Sequence, residues 1–335
     1  MQSRPYNPVT AVETPFLQSA LRAQAIIPGV PDDEVLLRAA AFERVRGLNE
    51  SRELLTAAEL KLGFSSEGSR IALVNVQRRV CKPVSMRQLL SVKTPFPKST
   101  ARIWYDDLRV VHEHIYGGDQ LAELRFTDAE CSAEESSWLR DAAASHVPIV
   151  YFLAISPRRY LALCPAFLTD WDATALTAHV AFGLAGDSGQ TLANDPGQRQ
   201  RALQAVKQRV HEASFREAVI TAYKGRCALS GLPEPQMLDV ARIRQDEDDL
   251  PGRPVVANGL PLAKIYLAAF DANLIGIDAD LRIHVADRLM KTWEGAALEE
   301  LKRMSNAPLK LPDRAQDRPD RDRLAIRFRA FLAAA

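Results

Sequence analysis

Near the middle of this 335-residue chain stands "GLAGDSGQTLANDPGQRQ", rich in Gly, Ser, Asn and Pro and nearly empty of large apolar side chains. A segment of that kind has nothing to bury and many backbone conformations to lose. It therefore reads as a linker over 184–200, with one domain over 1–183 and a second over 201–335. Each part is long enough to enclose its own core. Apolar residues at 47% and charged residues at 25% supply such cores and exclude wholesale disorder.

The two parts differ in texture. After a Pro-rich start, residues 16–27 and 32–62 carry spaced apolar positions among Ala, Leu, Glu and Arg, which suits helices packed on a neighbour. From residue 70 the pattern changes to short pieces of strand-forming residues, "RIALVNV", "ARIWYDDL", "VVHEHIY", "PIVYFLAIS" and "RRYLALCPAFL", parted by Pro, Gly and charge clusters. The expected fold class is α+β. A helical period returns over 199–223, a compact stretch runs from Gly225 to about Met290, and the end closes in an amphipathic helix.

Cys81, Cys131, Cys164 and Cys227 are scattered without a Cys-x-x-Cys pair, so neither a disulfide framework nor a zinc ribbon is indicated. The N-terminus lacks the basic-then-apolar pattern of a signal peptide, and no run is long enough to span a membrane. A cytoplasmic location is expected.

Charge is distributed unevenly. Between Arg70 and Arg102 stand eight bases and no acid: Arg70, Arg78, Arg79, Lys82, Arg87, Lys93, Lys98 and Arg102. A folded surface built from that run can neutralise phosphates, so Arg78, Arg79, Lys82, Arg87, Lys93 and Arg102 are candidate DNA contacts. The other reading is a solvated face matched to residues 106–141, where ten acids stand against three bases.

In the second part, "FREAVITAYKGRCALSGLPEPQMLDVARIRQDEDD" is followed by "VVANGLPLAKIYLAAFDANLIGID". A Cys-containing turn, a strand, Asn-Gly-Leu and Phe-Asp in this order resemble the HNH endonuclease family, and among it the predicted bacterial restriction endonucleases with this module at the C-terminus. In the first part, "NVQRRVCKPVSMRQLLSVKTPFPKSTARIWYDD" and "PIVYFLAISPRRYLALCPAFL" look like the recognition domain that precedes that nuclease. The resemblance implies a ββα element holding one divalent metal against a phosphate, with a histidine that takes a proton from water, an asparagine that orients it or braces the loop, and further metal ligands on the helix.

Position by position, the chemistry is missing. Arg242 stands where the family has the histidine of Ala-His-Ile, and an arginine stays protonated. Asn258 matches the loop asparagine, while Tyr266 and Leu267 occupy the helix positions of the metal-binding histidines. Asp239 and Asp271 are the remaining oxygen donors, a weak magnesium or manganese site at best. Turn and packing positions such as Cys227, Gly231, Leu260 and Phe270 nevertheless fit. The expectation is a degenerate HNH-like fold that binds DNA without cutting it, cofactor-free and nucleoid-associated; the pairing of two copies is an open option. The alternative is a divergent metal-dependent endonuclease using Asp239, Asn258 and Asp271. Arg242 then has two readings, a clamp on a phosphate or a partner for Asp239 or the acids at 245–249.

Other groups are weaker candidates. His284 alternates with Ile283 and Val285 and reads as a solvent-facing strand residue. His112 and His114 share one face of an expected strand, two ligands without a third. Arg79 replaces a family glycine, and Ser136 and Ser137 replace an Asp-Asn pair, which puts inherited specificity in question. Trp104, Tyr105, Tyr151, Phe152 and Tyr160 suit stacking on a flipped base or, more commonly, core packing.

Overall fold

The computed structural model describes residues 31–66, 68–96, 103–183, 195–244, 255–292 and 295–334. The class is α+β. The chain divides into two compact units: one comprises residues 1–95, 117–154 and 158–206, the other 96–116, 155–157 and 207–335. Residues 96–116, read from sequence as part of the first domain, thus cluster with the second unit. The expected helix at 16–27 and most of the linker lie outside the described residues, and residues 196–200 already belong to a helix.

The first unit opens with α1 (Asp32–Ser51), whose first turn carries Asp32, Asp33 and Glu34 against the positive end of the helix dipole. Strand β1 (Leu55–Thr56) and α2 (Ala57–Leu62) follow, joined by a capping box in which Thr56 and Glu59 satisfy each other's backbone N–H groups. A small ladder pairs β2 (Phe64–Ser66) with β3 (Ser69–Ile71). Among the described residues a seven-stranded sheet then runs β4 (Val80–Cys81), β5 (Ser91–Lys93), β7 (Ile149–Ser156), β8 (Arg159–Asp172), β9 (Thr177–Phe182) and β6 (Ala122–Arg125), with β1 pairing β8. Strands β5 and β7 are parallel, and β8, β9 and β6 are antiparallel neighbours. All eight residues of β7 are buried, as its unbroken apolar run requires of a central strand. Helix α3 (Ala133–Ser145), capped by Ser132 and Glu135, packs on β8.

Beneath α1 lies a buried ion pair. Glu34 and Arg38 are each 1% exposed and meet at 3.0 Å. Glu34 also accepts the backbone N–H groups of Arg87 at 2.8 Å and Gln88 at 3.1 Å. Arg38 donates to the carbonyls of Leu89 at 2.8 Å and Pro148 at 2.7 Å. Charges buried this deeply persist because each is paired and hydrogen-bonded.

The second unit builds one core from Phe96, residues 103–108 and the C-terminal elements. Helix α4 (Pro196–Ala222) contributes its residues from Lys207 on. Strands β10 (Leu238–Arg242) and β11 (Gly259–Ala263) form an antiparallel pair, with α5 (Lys264–Asp271) packed across both. A hairpin of β12 (Ile275–Ile277) and β13 (Ile283–Val285), α6 (Ala296–Arg303) and α7 (Arg321–Ala334) complete it. Phe215, Val219, Leu238, Leu260, Leu262, Phe270, Ile275 and Leu324 share this core with Tyr105 and Leu108. Arg314 grips Asp106 through two nitrogens, the shorter contact at 3.0 Å, and the Tyr105 hydroxyl donates to the buried Asp317 at 2.8 Å.

Two sequence expectations fail in 96–116. "ARIWYDDL" and "VVHEHIY" form helical turns, over Trp104–Asp107, Leu108–Val111 and Glu113–Tyr116, instead of strands. Leu108, His112, Ile115 and Tyr116 are buried, and their spacing of four, three and one is a helical stripe. His112 and His114 therefore do not share a strand face.

Candidate functional site

The geometry around Arg242 follows from the β10–β11 register, which sets Arg242 directly across from Gly259. Gly259 has no side chain, so α4 comes close: a Cβ there would lie 2.5 Å from Val219 Cγ2 and 2.8 Å from Phe215 Cζ. The same Phe215 ring lies beneath Arg242, whose guanidinium carbon sits 4.1 Å from the ring centroid. Arg242 is half-buried. An arginine over an aromatic face keeps its charge while its fork is held in place.

Asn258 is fully buried at the neck of the β10–β11 connection. Its Oδ1 accepts from the Arg244 N–H at 3.0 Å and its Nδ2 donates to the Arg244 carbonyl at 2.8 Å. Its own carbonyl accepts from the Ile243 N–H at 2.9 Å. This asparagine braces the backbone that follows Arg242. The Cys227 turn supports β11: Gly231, at φ 80°, donates to the Cys227 carbonyl at 2.9 Å, and Ala263 N–H approaches Cys227 Sγ at 3.4 Å.

The residues at the expected metal-binding positions have other surroundings. Asp239 is engaged by Arg216 Nε at 3.2 Å and by the Val240 N–H at 2.9 Å. Asp271 is exposed at the end of α5, where its charge acts on Arg327. Tyr266 is buried, and its phenol is pushed well above the ordinary range, first by burial and then by its hydrogen bond to Glu300. Leu267 packs against the core. No group of three or more His, Cys, Asp or Glu suited to a metal occurs among the described residues. A neutral buried phenol and a leucine offer a divalent ion no ligand, and Asp239 is already held by arginine.

The basic run of the first unit divides by role. Arg79 is largely buried: it donates to Glu130 at 3.0 Å and to the Arg125 carbonyl at 2.6 Å, over the Phe126 ring at 4.2 Å. Lys93 donates to the carbonyls of Asn75 and Val76 at 2.6 and 2.9 Å, bracing a loop. Arg78 is exposed, 3.9 Å from Glu135, and Lys82 lies 5.0 Å over Trp138. Arg87 is exposed, and Arg102 lies outside the described residues. Among the aromatics, Tyr151 and Phe152 are fully buried, and Tyr160 packs against the first unit's core, while Trp104 and Tyr105 belong to that of the second. Ser136 accepts from Trp171 Nε1 at 3.0 Å. His284 is paired with Asp278 at 2.7 Å.

Sequence reasoning passed over Phe215, the ring beneath Arg242, and took Arg216 for one base of a basic helix rather than the partner of Asp239. Only their position on a helix, four and three residues short of a buried Val219, hinted that they face β10. No helix among the described residues is long and apolar enough to cross a membrane.

No family model matches the chain, and no curated protein does. Among solved structures, the modification-dependent TagI restriction endonuclease aligns with 76% of this chain and 85% of its own, at 13% identity and a TM-score of 0.27, a likeness too slight to establish a common fold.

Proposed function

We propose that this chain is a DNA-binding protein whose second unit keeps an HNH-like ββα scaffold and uses it to hold a phosphate without cutting the strand. The observation that carries the reading is Arg242 at the end of β10, its guanidinium 4.1 Å over Phe215, where the resemblance places a histidine. A guanidinium supplies charge and a two-pronged set of donors suited to phosphate, but cannot act as a base. Asn258 fixes the backbone at Arg244, so the preceding arginine is presented from a braced strand end. The first unit carries cations of its own suited to a DNA backbone, Arg78, Lys82 and Arg87. The biological context this reading suggests is genome maintenance, defence or regulation.

The test is titration of a labelled duplex by fluorescence anisotropy across a salt series. The full chain should bind with a negative log–log salt slope, and Arg242→Gln should weaken binding about tenfold and flatten the slope by about one phosphate. Arg242→Lys should recover the slope better than the affinity, because an ammonium lacks the fork. Plasmid incubation with Mg²⁺ or Mn²⁺ addresses the nuclease alternative. Cleavage that disappears in Asp239→Ala or Asp271→Ala would replace the binding-only reading.

A further inference from the structure

One projection of the first unit combines three properties. The turn Pro83–Met86 is closed by the Met86 N–H on the Pro83 carbonyl at 3.0 Å. At its tip Val84 is 105% exposed, while Met86, Leu89 and Leu90 behind it are at most 2% exposed. Val84 is therefore not a core residue turned slightly outward; it stands wholly in solvent beside a filled core. The segment that leaves the turn, residues 87–89, is anchored from α1. Glu34 takes the N–H groups of Arg87 and Gln88, Arg38 takes the carbonyl of Leu89, and the two charges bind each other under α1. Charge-assisted bonds inside a protein are strong and leave the segment few alternative positions.

The third property is the surrounding charge. Lys82 and Arg87 flank the turn, and no acid occurs in sequence between Arg70 and Arg102. Arg87 is exposed, with no ion pair for its guanidinium among the described residues. The turn follows β4, an edge strand of the sheet, and Val76, which precedes β4 in sequence, is 62% exposed. A protein partner would call for a continuous apolar patch. Isolated apolar tips among cations match another surface: a duplex, whose phosphates take the cations and whose base steps admit an apolar wedge.

We propose that Val84, carried on the turn Pro83–Met86 ahead of the anchored segment 87–89, is a wedge that enters a base step of duplex DNA from the minor groove while Lys82 and Arg87 take the flanking phosphates. This inference rests on the DNA-binding reading above and adds a mode of engagement, deformation of the duplex by an exposed apolar tip. Unstacking a step is costly in a matched duplex and less so at a mismatch. A wedge therefore prefers mismatched DNA.

The experiment compares the full chain and Val84→Ser on two 24-base-pair duplexes, one fully matched and one with a single central mismatch. The native chain is expected to bind the mismatched duplex roughly tenfold more tightly. In Val84→Ser that preference should vanish, with the salt slope unchanged and, since the residue is fully exposed, the melting temperature unchanged. Lys82→Gln and Arg87→Gln should each lower the slope by about one phosphate while keeping the preference. An equal preference in the native chain and Val84→Ser, or none in either, overturns the wedge and leaves DNA binding standing. If the native chain binds neither duplex, both readings fall. Loss of self-association in Val84→Ser, seen by sedimentation, would assign the tip to a protein contact and also overturn it.

Discussion

The carboxamide of Asn258 holds both backbone groups of Arg244, accepting from its N–H at 3.0 Å and donating to its carbonyl at 2.8 Å. Both bonds are made by a side chain with no solvent exposure. Asn258→Ala would leave the Arg244 groups without these partners and should cost about 2–4 kcal/mol in chemical denaturation. Asn258→Asp keeps the acceptor but sets a second, charged oxygen against the Arg244 carbonyl in a fully buried site, so at neutral pH it should destabilise at least as much as Asn258→Ala.

Gly259 is demanded by contact: any Cβ meets Val219 and Phe215 within 2.5 to 2.8 Å. Both obstacles are side-chain ends, so the helix can yield somewhat, and Gly259→Ala should cost about 1–3 kcal/mol. Because Phe215 also underlies Arg242, the same variant should weaken duplex binding more than its stability loss explains, as anisotropy at a temperature well below unfolding would reveal.

Arg38 and Glu34 form a pair whose halves cannot be removed independently. Arg38→Met leaves a carboxylate 1% exposed without its countercharge, and should destabilise the chain by about 3–5 kcal/mol. Glu34→Gln, which retains one acceptor for the backbone at 87–88, should be milder. Urea unfolding of the three proteins orders them.

Acid should destabilise the second unit partly through Asp278. Burial raises its carboxyl, but the Arg282 N–H, the His284 ring and the Asp280 N–H together outweigh it and hold the group below the ordinary aspartate range. A depressed carboxylate stabilises the folded state above its unfolded value, about 4, and that contribution is lost as pH falls through the folded value. Glu59 is depressed likewise against burial, by its bonds to Thr56 and the charges of Arg52 and Arg44. Urea midpoints between pH 6 and pH 3 should therefore fall, and Asp278→Asn should flatten the decline.

Much of this architecture is written locally. "PIVYFLAIS" has the continuous apolar run of a strand buried on both faces, and β7 is one. The helical period at 199–223 becomes α4, and the order strand, Asn-Gly-Leu strand, helix is realised in β10, β11 and α5. What could not be read depends on distant partners. His112 counts as polar in any window, yet it is buried, and once it is placed inside, 108–116 has a helical stripe. Arg79 looks like one cation of a basic run until Glu130, 51 residues on, is brought against it. Arg242 is similar: its residue type rules out a base, but the ring beneath it comes from a helix that sequence adjacency does not connect to β10.

The Asp106–Arg314 fork and the Tyr105–Asp317 bond, with Leu108 in the same core, bear on how this chain can be divided. A cut in the Gly- and Asn-rich stretch would not release the second unit whole, because part of its interior lies some hundred residues upstream, at 96–116. A fragment starting at 201 would fold with a gap where Tyr105 and Leu108 belong and with Asp317 buried beside no hydroxyl. The ββα element is thus no detachable cassette: transplanting it into another protein would succeed only if residues 96–116 travelled with it.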